Sequence, residues 1–209
     1  MRFFSFFTVL SLASLSFPAT ANQIVFSHQD TMNANDMPSL ADLLTIESSV
    51  SIFYSYAREL ALSELFSKQV GLKQESERAN VNGGLTLLVP TNKAVMALAR
   101  KPHQSPQSQD NDGIAISEEE LFKKSRDNVQ RWVEAHIIPT SPLTFPAPTA
   151  TYDTLLQGKA VTLASSTAPD APSDEDWKSV TINDGIRIIS MKQASNGVLY
   201  IIDGTIDVD

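Results

Sequence analysis

The chain has 209 residues, no cysteine and a formal net charge of −8. The lack of cysteine excludes disulfides, thiolate catalysis and cysteine-based metal sites. An acidic chain is repelled by phosphate backbones, which argues against nucleic acid and anionic membrane surfaces as partners.

The first 21 residues have the features of a cleaved signal peptide. Arg2 supplies a basic start, residues 3–17 are apolar apart from Ser and Thr, and residues 19–21 read A-T-A, an A-x-A cleavage site. The apolar run is shorter than the roughly 20 residues needed to span a bilayer. We therefore predict a signal peptide over residues 1–21, a flexible polar segment over residues 22–37, and no integral membrane segment after cleavage.

Two helices are predicted between the flexible segment and the first strand. Ser39 and Asp42 have the spacing of a helix N-cap and its partner, and they open the first helix. From about Ser51 to Lys68, apolar residues recur at three- and four-residue steps, which is the helical period. This pattern predicts one continuous second helix.

The sequence TLLVPTNKAV, residues 86–95, predicts the end of a strand, a proline that terminates it and the start of a helix. Residues 85–89 are almost all apolar and predict a strand. Pro90 cannot donate a ladder hydrogen bond, so strand pairing should end there. Thr91 or Asn92 can then cap a helix over residues 93–100.

A polar stretch over residues 101–116 separates this helix from the central one. It reads as an exposed insertion, because no second core follows it. Ser117 and Glu120 form a capping box that opens a helix ending near His136. The apolar period of that helix predicts four inward-facing residues: Phe122, Val129, Trp132 and Val133.

The remainder of the chain is rich in strand signals. Residues 154–156 and 160–163 flank a Gln-Gly-Lys turn and predict a hairpin. Three further strands are predicted over residues 179–182, 186–190 and 198–202, separated by Asn-Asp-Gly and Asn-Gly turns. Helices first and mainly strands afterwards favour an α+β fold over a doubly wound parallel sheet.

No motif marks a catalytic, cofactor or metal site. The chain has no P-loop, no G-x-G-x-x-G and no G-x-S-x-G elbow, and His28, His103 and His136 match no local metal spacing. His136 lies one turn after Trp132 on the apolar face of its helix. We interpret it as a packed core histidine bonded to a backbone group. The helix C-terminus favours its cationic form, and a recognition surface around it is the alternative.

The ordered motifs of this chain resemble those of the fasciclin domain family. TLLVPTNKAV is similar to the first family signature, and NGVLYIIDGTI, residues 196–206, to the second. TLLQGKAVTL and SVTINDGIRII resemble the hairpin and the strand pair between them. The likeness covers one domain over about residues 38–206 and is greatest to short single-domain fungal fasciclin-like proteins.

The resemblance implies a wedge of two β-sheets with the N-terminal and central helices packed alongside. It also implies an adhesion or interaction module without catalysis or cofactor, and an address in the vacuole lumen. The signal peptide by itself predicts only the secretory pathway, which leaves an extracellular or cell-surface location as the alternative. Family members often carry Tyr-His at the end of the central helix, whereas this chain has Ala135-His136, which weakens an adhesion role of the integrin-binding type. The matching motif residues are then structural: Pro90, Thr91, Asn92, His136, Asn196, Gly197 and Asp203.

Three functional hypotheses remain open at this point. The first is a non-catalytic interaction module of the secretory pathway that binds a protein or a glycan. The second is a hydrolase whose site no motif reveals, which would need a pocket holding a carboxylate or histidine of altered pKa. The third is a structural subunit that docks a partner protein, and the oligomeric state is left open.

Replacing His136 by Ala should lower the free energy of unfolding by about 1–3 kcal/mol, because it leaves buried backbone groups without a partner. Urea denaturation of the two proteins measures this difference. A change below about 0.5 kcal/mol, which is usual for surface positions, would contradict the packed-core interpretation.

Overall fold

The computed structural model describes residues 37–68, 84–104, 117–145, 148–165, 176–183 and 185–208. The predicted signal peptide, nearly all of the flexible segment after it, His28 and residues 105–116 of the predicted insertion lie outside the described residues.

The described helices, in chain order, are α1 (Leu40–Ile46), α2 (Ser51–Ala57), α3 (Ser63–Ser67), α4 (Asn92–Ala97) and α5 (Glu118–Ala135). The predicted N-cap at Ser39 and the predicted capping box at Ser117 are confirmed. Ser39 pairs with Asp42 at the start of α1, and Ser117 pairs with Glu120 at the start of α5.

The prediction of one continuous helix over residues 51–68 is wrong, because the chain turns between α2 and α3. At about 100° per residue, a straight helix would place Phe66 on the side opposite Phe53. Both rings are buried in the same core cluster. The break therefore rotates α3 so that Phe66 can join the core.

The described strands are β1 (Leu85–Pro90), β2 (Ile137–Ile138), β3 (Thr149–Asp153), β4 (Ala160–Ser165), β5 (Val180–Ile182), β6 (Ile186–Ala194) and β7 (Gly197–Ile202). They follow the order β2-β1-β7-β6-β5-β4-β3 in one hydrogen-bonded sheet. β1 and β7 are parallel, and the other neighbouring strands are antiparallel.

The sheet is mixed and nearly closes on itself. β6 connects the two halves of the sheet, because it pairs first with β5 and then with β7. A bulge between Ile188 and Ser190 interrupts the pairing with β7. At the two ends of the order, the Leu155 N–H donates to the Ile137 carbonyl at 2.8 Å. The α+β class is confirmed, whereas the implied division into two separate sheets is not.

The predicted strand at residues 154–156 is wrong. β3 ends at Asp153, and Thr154 bonds instead to the carbonyl of Lys159, through its backbone N–H at 2.9 Å and its hydroxyl at 2.8 Å. These two bonds close the turn into β4, so Thr154 belongs to the turn rather than to the hairpin ladder.

β1 and β7 are buried on both faces, which explains their continuous apolar sequences. Leu87 and Leu199 belong to a core shared with the helices, whereas Leu88 and Tyr200 belong to a second core on the other face of the sheet. Successive side chains of a strand point to opposite faces. Both cores therefore meet along β1 and β7.

The inward orientation predicted for Phe122 is wrong, because its side chain is 73% exposed. Val129, Trp132 and Val133 are buried as predicted. The helical period therefore identifies the buried face of α5 from Val129 onward. The first turns of α5, which include Phe122, extend past the buried core.

Replacing Gly197 by Ala should lower the free energy of unfolding by about 3 kcal/mol or more, because a Cβ there would lie 1.9 Å from the Leu85 carbonyl oxygen. That contact would push apart the central parallel strands. Urea denaturation measures the loss, and Gly185→Ala is the matched control, since a Cβ at Gly185 meets nothing within 4 Å. Equal stability of the two variants would contradict this packing.

Candidate functional site

Pro90 and Thr91 end the first strand and start α4. Pro90 is the last residue of β1 and pairs with Ile202, and the next N–H, that of Thr91, donates to the Ile202 carbonyl at 3.0 Å. The Thr91 hydroxyl accepts from the Ala94 N–H at 3.2 Å as the N-cap of α4. Thr91 therefore uses both its backbone N–H and its hydroxyl within the fold.

Asn92 joins α4 to the start of α2. Its side-chain oxygen accepts from the Ile52 N–H at 2.9 Å, and its amide nitrogen donates to the Ser48 carbonyl at 2.9 Å and the Ser51 hydroxyl at 3.1 Å. Both ends of this amide are bonded to the segment that leads into α2, so the side chain of Asn92 holds two chain segments together.

His136 is completely buried at the C-terminal end of α5. Its Nδ1 lies 2.7 Å from the Trp132 carbonyl oxygen, and its Nε2 lies 3.0 Å from the Ile206 nitrogen. A carbonyl can only accept and a backbone N–H can only donate, so the ring is neutral with its proton on Nδ1. The imidazole therefore ties α5 to the segment after β7.

The pKa of His136 is lowered from 6.5 to about 4. Burial is the main cause, and the hydrogen bond to the Trp132 carbonyl opposes it only in part. The helix C-terminus favours the cationic form of this histidine, but desolvation of the fully buried ring is the larger effect and lowers the pKa.

Asn196 performs a similar joining role at the turn between β6 and β7. Its buried side chain donates to the Phe66 carbonyl at 2.8 Å and accepts from the Leu40 N–H at 2.9 Å. Its backbone carbonyl accepts from the Leu85 N–H at 3.0 Å. One residue therefore connects α1, α3 and β1 to the turn that leads into Gly197.

Asp203 is held by Arg187. Its carboxylate accepts from the Arg187 backbone N–H at 2.7 Å and from the Arg187 Nε at 2.9 Å. Burial alone would raise the pKa of Asp203, but these bonds from Arg187 lower it below its ordinary value. The pair fixes the end of β7 against β6.

The polar motif residues thus form hydrogen bonds between segments of the fold. The concave surfaces are lined by other residues. A groove of about 210 Å³, here called the α2–α5 groove, has polar and aromatic lining residues that include Tyr56, Glu59, His103, Phe122, Ser125 and Arg126. The Tyr56 hydroxyl lies 2.9 Å from His103 Nδ1, and burial raises the pKa of Tyr56. Sequence reasoning missed this groove because it predicted that Phe122 faces inward.

A second cavity of about 150 Å³, here called the C-terminal pocket, lies where residues 98–102, α5 and the segment after β7 meet. Its lining includes Arg100, Lys101, Asn128, Arg131, Trp132 and Asp207. Three separate segments supply these residues, so no local motif could reveal them.

Among the described residues, Tyr56 is the one group with a displaced pKa that lines either cavity. The histidine and carboxylates whose pKa values are displaced, His136, Asp42, Glu47 and Asp203, line neither the groove nor the pocket. Within the described ranges, no group of three or more His, Asp and Glu side chains could hold a metal ion.

No helix in the described part of the chain combines the length and apolar character needed to cross a bilayer.

Comparison with known proteins identifies the family. Residues 49–207 match the fasciclin domain, so this chain belongs to the fasciclin family. Proteins of this family are generally adhesion or interaction modules and generally lack catalytic activity. The resemblance found in the sequence motifs is thereby confirmed.

The relatives are fungal FAS1 domain-containing proteins. One from Aspergillus fumigatus is 31% identical over 120 residues, which are 56% of this chain and 47% of the relative. One from Emericella nidulans is 26% identical over 178 residues, 83% of this chain and 64% of the relative. One from Schizosaccharomyces pombe is 25% identical over 173 residues, 81% of this chain and 77% of the relative. The chain thus spans about half to two-thirds of the first two relatives.

Between pH 7 and pH 5, the contribution of His136 to the free energy of unfolding should fall by about 2 kcal/mol. The folded-state pKa of about 4 lies below the unfolded value of 6.5, so the unfolded chain binds the extra proton and stability is lost as pH falls. Urea denaturation of wild type and His136→Gln at both pH values isolates this effect. If the unfolding free energy of His136→Gln depends on pH as strongly as that of the wild type, the account is contradicted.

Proposed function

We propose that this chain is a non-catalytic interaction module that binds a carbohydrate through the α2–α5 groove. Family membership supports the interaction class, and the exposed Phe122 ring in the groove is the observation that carries the choice of surface. The displaced pKa values found outside both cavities give no support to a hydrolase.

The composition of the groove favours a neutral, hydroxyl-rich ligand. Phe122 offers an aromatic face, and Tyr56 combines an aromatic body with a hydroxyl. Glu59 and Arg126 place opposite charges in the same lining, so the groove does not select a strongly charged ligand. An apolar surface with a few polar groups is typical of small-ligand sites, and the groove's volume of about 210 Å³ suits a short carbohydrate unit.

We infer further that the protein follows the secretory route to the vacuole lumen or the cell surface. The basic start, apolar run and A-T-A sequence of residues 1–21 support this route. Expression of the full-length chain with a C-terminal tag, followed by fractionation and imaging, tests it. Cytosolic tagged protein that retains residues 1–21 would overturn it.

The binding proposal is tested by screening the full chain against an array of cell-wall glycans and a panel of secreted proteins. Saturable binding to a glycan is expected, and Phe122→Ala should weaken it about tenfold or more, since aromatic side chains dominate such contacts. Leu121→Ala is the matched control, because Leu121 is the neighbouring exposed residue of α5, at 51%, and is not among the groove lining.

Three outcomes would contradict the proposal. They are the absence of saturable glycan binding, equal binding by the two variants, and saturable binding to a secreted protein alone. Circular dichroism of both variants shows whether α5 is retained, so loss of folding cannot be mistaken for loss of a contact.

A further inference from the structure

The C-terminal pocket is a positively charged cavity on an acidic protein. The whole chain carries a net charge of −8, yet the pocket is lined by three cationic side chains, Arg100, Lys101 and Arg131, and by one carboxylate, Asp207. The lining therefore has an excess of two positive charges. A local field of opposite sign to the rest of the molecule concentrates anions at that place.

Lys101 is fixed in the pocket wall by backbone carbonyls rather than by an acid. Its Nζ donates to the Met96 carbonyl at 2.7 Å and to the Leu98 carbonyl at 2.9 Å, and it lies 3.4 Å from the Val95 carbonyl. These bonds cap the end of α4 and hold the ammonium group in one position. The three carbonyls use the three N–H donors of the ammonium, so Lys101 acts on an anion through its positive charge.

Arg131 is the second cation of the pocket, and no described carboxylate lies within salt-bridge distance of it. Its guanidinium reaches the Val208 carbonyl at 3.4 Å. By contrast, Arg187 is paired with Asp203. A guanidinium presents a planar fork of donors that matches two oxygens of one oxyanion. Arg131 therefore has both the charge and the donors that an oxyanion requires.

The inner wall of the pocket is apolar and held rigidly. Trp132 and Ile206 line it, and both are buried. His136 bonds to the carbonyl of Trp132 and to the N–H of Ile206, so one imidazole fixes these two lining residues to each other. A low-dielectric wall strengthens the attraction between the cations and a bound anion, and a preformed wall lowers the cost of binding.

We propose that the C-terminal pocket binds the phosphate group of a small ligand. The excess of two positive charges complements a phosphate monoester dianion, and the cavity of about 150 Å³ admits a group of that size. This site is separate from the α2–α5 groove and does not depend on carbohydrate binding there. It also gives the surroundings of His136 a recognition role in which the imidazole positions the pocket wall and does not touch the ligand.

The test titrates inorganic phosphate, glucose 6-phosphate and phosphatidic acid vesicles separately into the full chain at pH 7. Amide chemical shifts are followed for the soluble probes and sedimentation for the vesicles. Inorganic phosphate should saturate with a Kd of about 1 mM or below. A tighter response to the sugar phosphate identifies a soluble ester as the source, and a tighter response to the vesicles identifies a lipid headgroup.

Arg131→Gln should weaken phosphate binding about tenfold or more, because it removes the positively charged guanidinium group. Lys124→Gln is the matched control: it removes the same charge from an exposed position of α5 outside both cavities, and it should bind within about twofold of wild type. Equal affinities of the two variants, a response that never saturates, or acetate binding as tightly as phosphate would overturn the proposal.

Discussion

The parallel pairing of β1 with β7 is the constraint on which the other elements depend. It places residues 85–90 beside residues 197–202 between the two cores, although more than a hundred positions separate them in the chain. β2 then adds to one side and β6 to the other, and the helices cover one face. The close approach of the two backbones requires Gly197, whose missing Cβ leaves room for the Leu85 carbonyl.

Two buried polar side chains connect this centre to its surroundings. Asn196 ties the turn before β7 to α1 and α3, and His136 ties α5 to the segment after β7. Among the described residues, no buried side-chain nitrogen or oxygen lacks a hydrogen-bond partner. A buried network of this kind is stabilising when fully satisfied and costly when broken. This explains why the motif residues act within the fold, while the two cavities are formed by other residues.

Local signals in the sequence predicted the parts of the fold that depend on local physics. The strand before Pro90 and the capping boxes at Ser39 and Ser117 needed only neighbouring residues and were found. The break before α3 and the exposure of Phe122 depend on which surfaces meet in three dimensions, so periodicity alone predicted both wrongly. The same reason hides the cavities, because each collects side chains from distant segments.

Native-state hydrogen exchange tests the central position of the β1–β7 pair most directly. The amides of residues 85–89 and 197–202 should exchange only through global unfolding, with an opening free energy equal to that from urea denaturation. Amides of the short helix α4 should exchange through smaller local openings. Exchange of the β1 and β7 amides at lower free energies than those of α5 would contradict the account.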